Sequence, residues 1–253
     1  MSKRNTQQRR HLILTELNDK GEVSVELLSK KLNTSEVTIR KDLAVLETSG
    51  LLLRRYGGAI ALPQEIIEPK TKELSKRKLA IAEKAASLIR DHYRIIIDSG
   101  RTTSALVPTL DKKKGLVVMT NSLLIANQLQ TLENEPTLLM TGGTWDANSE
   151  AFQGQVAEQV LRSYDFDQLF IGADGIDINR GTTTFNELIG LSRVMAEVSR
   201  EVIVMVESEK FDRKIPNLEL TWQQIDKLIT DKNLSKKYQQ QLINYGVDII
   251  IAD

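Results

Sequence analysis

The sequence predicts an α/β chain in two parts: a small helical head ending in a β-hairpin, then a larger body around a mainly parallel sheet. Three observations carry this expectation. Residues 6–49 hold three short amphipathic stretches, each closed by a turn signal. Residues 51–62 place two apolar runs around Gly57-Gly58, the pattern of a hairpin. From residue 94 onward, seven short and nearly continuous apolar runs alternate with helical patterns, as strands buried on both faces do. The 253 residues accommodate a small domain and a larger one. Residues 1–62 form the head, 63–73 a linker bracketed by Pro63 and Pro69, and 74–253 the body.

Taken in order, the first helix runs from about Thr6 to Asn18, with Leu12, Ile13 and Leu17 as its apolar stripe, and stops at Asp19-Lys20-Gly21. Ser24 is an N-cap for a short helix, Val25 to Leu32, with Leu27, Leu28 and Leu32 inward. Asn33-Thr34 makes a turn, and Ser35 caps a third helix from Glu36 to about Ser49, closed by Gly50. In the body a helix from Leu74 to Asp91 precedes the first strand, 94–98. The other strands are expected at 116–119, 137–140, 168–171, 202–206, 227–230 and 247–251.

Composition narrows the function. The chain has no cysteine, which excludes disulfides and thiolate zinc sites, and its two histidines, His11 and His92, lie in different segments. No cofactor or metal is expected. No run approaches the roughly 18 apolar residues of a membrane span, and the start lacks an apolar leader core, so a cytoplasmic location without a membrane partner is expected. Basic and acidic residues balance at 34 each, but unevenly: residues 1–60 hold eleven basic against seven acidic residues, and the body carries the opposite excess. A basic head on an acidic body concentrates the attraction for phosphates in one place.

On a wheel of roughly 100° per residue, Ile39, Leu43 and Leu46 form the buried stripe of the third helix. Val37, Thr38, Arg40 and Lys41 then project from its outward arc, with Ser35 at its start. Hydroxyls and cations for base edges and phosphates, with an apolar group for thymine methyls, are what a major-groove reader needs there. Asp42 beside the stripe is expected to be structural, because a carboxylate facing DNA is repelled. Arg54, Arg55 and Tyr56 crowd the hairpin, where a basic wing can meet the backbone or minor groove. Together these features describe a winged helix-turn-helix, and the expected partner is a double-stranded DNA operator. A single head contacts few bases, so a homodimer or homotetramer on repeated half-sites is expected.

Two motifs carry a resemblance: the run Ser35-Glu36-Val37-Thr38-Ile39-Arg40-Lys41-Asp42-Leu43, following Arg9 and Ile13, and the hairpin Arg55-Tyr56-Gly57-Gly58-Ala59. They resemble the signature and the Gly-Gly wing of the DeoR family of bacterial sugar-metabolism regulators. The body resembles that family at Gly172-Ala173-Asp174-Gly175-Ile176-Asp177, at Thr183-Thr184-Phe185-Asn186-Glu187 and at Ser208-Glu209-Lys210-Phe211, so the likeness runs over nearly the whole chain. It implies a body similar to the ribose-5-phosphate isomerase fold, and repression relieved by a small phosphorylated sugar. Among such regulators, those of hexitol and amino-sugar operons look most similar.

The body's own residues point to ligand binding. Asp98-Ser99-Gly100-Arg101-Thr102-Thr103 follows an apolar strand and opens a helix, where free N–H groups and small hydroxyls can cradle an anion. As a plain N-cap the same turn is about as common. In the resembled family this position is the loop that engages a sugar phosphate, and Arg101 stands where a small hydroxyl residue is usual. Asn121 and Ser122, Gly142 and Gly143, and Asp174 cluster at other strand ends, where ligands of open α/β sheets bind. Asn186 and Glu187 offer an amide and a carboxylate to sugar hydroxyls, and Lys210 a cation to an anion. An alternative is an isomerase-like enzyme with an appended DNA-binding head, in which Asp98, Asp174, Glu187 and Lys210 serve as acids and bases. Against it, the chain lacks a nucleophile elbow, a phosphate-loop lysine motif and a metal-ligand set, and a shared fold does not confer a reaction.

Overall fold

The computed structural model describes residues 3–48, 52–61, 74–147, 149–186, 189–213, 215 and 217–253. The linker segment 63–73 and Glu187 therefore lie outside the described residues. The chain divides into two compact units, Met1–Glu73 and Leu74–Asp253.

The first unit comprises α1 (Lys3–Lys20), β1 (Glu22–Ser24), α2 (Val25–Lys31), α3 (Glu36–Thr48), β2 (Leu53–Arg55) and β3 (Gly58–Ile60). Its core joins Ile13 and Leu17 of α1, Val25 and Leu28 of α2, Ile39, Leu43 and Leu46 of α3, and Leu52 and Ala59 of the hairpin. Two expected core residues face outward instead. Leu12 is 47% exposed and Leu27 65% exposed. Ile13 and Leu17, four apart, share one helical face, as do Val25 and Leu28, three apart, and the neighbouring leucine is rotated off each by about 100°.

The hairpin also differs from expectation. Arg55 pairs with Gly58, so the two-residue turn is Tyr56-Gly57, with Gly57 at φ +78°. Gly58 belongs to β3, and a Cβ there would lie 2.0 Å from the Val23 carbonyl of β1. The second glycine thus serves the close approach of β3 to β1, a strand too short to be read from its sequence. A sheet in the order β1-β3-β2 results.

The second unit begins with α4 (Lys76–Leu88), capped by Ser75, whose Oγ accepts from the Lys78 N–H. It continues through β4 (Arg94–Ile97), the short α5 (Arg101–Ser104), β5 (Val117–Thr120), α6 (Leu123–Leu129) and β6 (Thr137–Met140). A hairpin of β7 (Thr144–Asp146) and β8 (Ala151–Gln153) precedes α7 (Gln155–Leu161) and β9 (Phe166–Ile171). Then come β10 (Gly175–Asp177), β11 (Gly181–Thr184), α8 (Gly190–Glu197), β12 (Ser199–Met205), β13 (Asn217–Thr221), β14 (Lys227–Asp231), α9 (Lys236–Asn244) and β15 (Asp248–Ala252).

The seven expected apolar runs are the seven strands of one sheet, in the order β15-β14-β12-β9-β4-β5-β6, parallel at every pairing. Alternate residues feed opposite layers. Ile95, Ile97, Phe170, Ile203 and Met205 pack with α4 and α6, whereas Ile96, Leu169, Ile171, Val202 and Val204 pack with α7, α8 and α9. A second, antiparallel sheet in the order β10-β11-β13 was not expected. Its middle strand is Gly-Thr-Thr-Thr, which reads as loop; Thr182 and Thr183 are nonetheless buried.

Gly58→Ala is expected to cost about 1–3 kcal/mol, the usual penalty of overpacking. The check is amide hydrogen exchange, which should quicken at residues 22–24 and 58–60 and remain unchanged in the body.

Candidate nucleic-acid interface and ligand crevice

In the head, Ile39, Leu43 and Leu46 are buried, and they turn the opposite arc of α3 outward. Ser35 caps α3: its Oγ accepts from the Thr38 N–H at 3.2 Å and lies 2.9 Å from Thr38 Oγ1. Val37 is 59% exposed, Arg40 and Lys41 are exposed, and Thr38 is half-buried. Tyr56 stands fully exposed at the tip of the wing. The arginines are held by acids of the head itself: Arg40 by Glu36 at 2.6 Å, Arg54 by Glu47 at 2.8 Å and Arg55 by Glu22 at 2.6 Å. Exposed pairs of this kind contribute about 0–1 kcal/mol, so a phosphate can displace the acid. Asp42 behaves differently. It is buried and accepts from Arg9 Nε at 2.5 Å and Arg10 Nε at 2.9 Å, tying α3 to α1.

In the body, strand order dictates where polar groups converge. β4 leads by way of α5 to β5 on one side, whereas β9 lies on its other side. Connections leaving β4 and β9 therefore diverge, the arrangement in which open α/β sheets hold their ligand crevice beyond the carboxyl ends of the strands. Asp98 follows β4, Asn121 follows β5, and Asp174 follows β9. Asn121 binds both neighbours of its loop, donating from Nδ2 to Asp98 Oδ1 at 2.8 Å and accepting the Ser99 N–H at 2.9 Å. Asp174 Oδ2 accepts from Thr184 Oγ1 at 2.9 Å and from the Phe185 N–H at 3.1 Å. Lys210, buried, donates from Nζ to the Ala173 carbonyl at 2.7 Å. Asn186 adjoins this group, donating its N–H to Thr184 Oγ1.

Several expected site hydroxyls also have local duties. Thr103 Oγ1 donates to the Gly100 carbonyl, and Ser122 caps α6 by accepting from the Ile125 N–H. Gly100 lies at φ +150°, with Arg101 and Ser99 half-buried beside it and Thr102 buried. Gly142 and Gly143 follow edge strand β6, two strand spacings or about 10 Å from β4. A Cβ on Gly143 would meet the Gln153 carbonyl at 2.5 Å, so this glycine admits the β7–β8 hairpin.

Sequence reasoning missed Glu219. It lies between Leu218 and Leu220 on β13, buried, accepting from Ser192 Oγ at 2.8 Å. Burial, the charge of Asp98 and that of Asp174 raise its pKa to about 8, against the hydrogen bonds from Ser192 and Thr182. Burial chiefly, with a contribution from Asp174, raises Asp98 to about 6, against the hydrogen bonds from Asn121 and Ser99. At neutral pH Asp98 is thus mostly ionised and Glu219 mostly protonated. The one sequence signal was a carboxylate alternating with leucines on a short run.

A separate cleft of about 370 Å³ opens at the amino-terminal ends of the strands, lined by Arg94, Arg162, Tyr164 and Arg200 among others. Its arginines contact the Asp165 carbonyl, Glu197 and Asp167. Among the described residues no group of acids and histidines is arranged to hold a metal ion, and no helix is long and apolar enough to cross a membrane.

Comparison with known proteins matches residues 9–65 to the DeoR-like helix-turn-helix domain and residues 73–232 to the DeoR C terminal sensor domain. The chain belongs to the DeoR family. It is 38% identical over 254 residues to a putative aga operon transcriptional repressor of Escherichia coli O157:H7, covering 98% of this chain and 94% of that protein. It is 33% identical to the lactose phosphotransferase system repressor of Lactococcus lactis subsp. lactis, covering 98% and 100%. Both relatives are named for control of transcription, as a DeoR-type head requires, and the chain is a DNA-binding regulator rather than an enzyme. Among solved structures, ribose 5-phosphate isomerase A of Methanocaldococcus jannaschii is similar over 54% of each chain, at 18% identity and a TM-score of 0.40.

The two acids of this DeoR sensor domain give it a pH signature. Glu219 holds its proton in the folded state up to about pH 8 but loses it near 4.5 when unfolded. The stabilisation is complete below the unfolded pKa and is lost as pH rises through the folded one. The melting temperature is therefore expected to fall between pH 6.5 and 9, beyond the window of Asp98. Glu219→Gln, with no proton to release, should flatten this fall; equal slopes by circular dichroism melting would contradict it.

Proposed function

We propose that this DeoR-family chain represses a carbohydrate-utilisation operon from the cytoplasm, and that a phosphorylated sugar bound in the crevice releases it from the operator. The observation that carries this reading is the convergence of unlike polar groups at the point where strand order reverses. The Lys210 ammonium, at the Ala173 carbonyl next to Asp174, and the Ser99–Thr102 turn, held by Asn121, are suited to a phosphate. Asp98, Asn121 and Asp174 are suited to sugar hydroxyls. The names of the E. coli and L. lactis relatives support a sugar-linked operon.

On the head, Ser35, Val37, Thr38, Arg40 and Lys41 read the major groove, while Arg54, Arg55 and Tyr56 hold the backbone beside it. Two heads, supplied by a homodimer or homotetramer, engage repeated half-sites. The ligand acts by favouring a state in which the heads no longer match those half-sites; equal affinity for both states would shift nothing.

Lys41→Ala is expected to weaken operator binding by about 1–3 kcal/mol and to lower the salt slope of log Kd by about one, leaving the body folded. Fluorescence anisotropy across a salt series reads both numbers, and an unchanged affinity removes Lys41 from the interface. Ser99→Glu should abolish release by ligand while sparing operator affinity, because it sets a negative charge against the phosphate. A thermal-shift screen of sugar phosphates, with hits retested for DNA release, supplies the ligand for that comparison; normal release by the variant would move the site elsewhere.

A further inference from the structure

We propose that Glu207 is a positioning residue that couples Lys210 in the crevice to the first turn of α4, the helix by which the body is joined in sequence to the DNA-binding head. The proposal rests on the reading of the crevice as the effector site and adds the route by which occupancy is transmitted.

Glu207 and Lys210 belong to one small unit. β12 ends at Met205, and a single 3₁₀ turn, Ser208–Asp212, follows Glu207. The Lys210 N–H donates to the Glu207 carbonyl at 3.0 Å. Ser208 pins this turn to the end of β14, donating from N and Oγ to the two Asp231 oxygens, each at 2.8 Å. From the pinned turn, two side chains reach in different directions. Lys210 Nζ reaches the Ala173 carbonyl, next to Asp174. The Glu207 carboxylate, only 3% exposed, faces the start of α4, accepting from Ser75 Oγ at 2.9 Å and lying 3.4 Å from Lys78 Nζ and 3.6 Å from Arg77 Nε.

The start of α4 needs that carboxylate. Lys76, Arg77 and Lys78 place three cations in its first turn, with no acid among them, at the helix end where the macrodipole disfavours positive charge. Glu207 and, at 2.8 Å from Arg77, Glu209 provide the missing negative charge from outside the helix. Lys78 is itself buried. A buried ion pair is no better for stability than well-packed apolar residues, but it depends steeply on geometry, which suits a two-state element. When an anion in the crevice draws Lys210 from the Ala173 carbonyl, the turn pivots about Ser208, Glu207 loses its register with Ser75 and Lys78, and the first turn of α4 loosens where the chain leaves for the head.

Hydrogen exchange on the full-length protein tests the coupling without ligand. Lys210→Met is expected to quicken exchange at residues 75–82 at least fivefold in the wild-type background and less than twofold in a Glu207→Gln background. Ser75→Ala, which removes only one hydroxyl, should give a milder change of the same sign and keeps the test valid if Glu207→Gln folds poorly. Exchange at 75–82 that ignores Lys210→Met, or responds equally in both backgrounds, overturns the coupling. With glucosamine 6-phosphate, fructose 6-phosphate and inorganic phosphate as probes, Glu207→Gln should bind any active probe as the wild type does but release operator at least tenfold less effectively. Normal release by Glu207→Gln also overturns it. If no probe releases the wild type, the sugar-phosphate reading loses its support, and the exchange cycle still decides the coupling.

Discussion

The reversal of strand order between β4 and β9 is the constraint from which the chemistry of the body follows. A parallel sheet buried on both faces leaves the polar backbone groups of its inner strands accessible only at the strand ends. Where neighbouring strands send their connections to opposite sides, those ends stay uncovered. Asp98, Asn121 and Asp174 occupy this opening because they are the residues that follow β4, β5 and β9. The small β10-β11-β13 sheet then brings Thr184 onto Asp174 and Glu219 into the field of Asp98. Burial first, and the proximity of one carboxyl group to another second, raise the values of Asp98 and Glu219.

The head solves a different problem. α3 must leave its reading face bare while being held firmly from behind, and a seven-residue α2 and a three-residue strand offer little area for the purpose. Ile39, Leu43 and Leu46 supply the apolar contact, and Asp42, gripped by Arg9 and Arg10, supplies direction. An acid in a DNA-binding helix is tolerated here because it is turned inward and neutralised by α1.

What could be read from the sequence divides along physical lines. The seven strands were visible because burial on both faces demands unbroken runs such as Ile95-Ile96-Ile97, and the caps Ser24 and Ser35 could be matched to helix starts. Ser75 itself was not anticipated; α4 was expected to begin at Leu74. Strands β1, β10 and β11 escaped notice because three or four residues cannot display a period, and Gly-Thr-Thr-Thr has loop chemistry. The two wing glycines were read as one turn, although only Gly57 turns and Gly58 makes room for Val23. Glu219 and Glu207 were invisible for a deeper reason: their partners lie far along the chain, Ser75 being 132 residues from Glu207. No local pattern encodes such a meeting.

The arginines of α3 and the wing are each clasped by a carboxylate of the same head, Glu36, Glu47 or Glu22. On the proposed reading of these residues as DNA contacts, an arginine that turns to a phosphate leaves its former companion nearby, and that orphaned negative charge then repels the DNA. Random duplex, which offers phosphates without good alignment, gains little from the exchange. A duplex whose groove also rewards Val37 and Thr38 can draw the helix in far enough to separate cation from acid. On that reading the clasped arginines act as a filter against indiscriminate adhesion, sharpening choice among the many sequences of a genome at the expense of grip on any one of them.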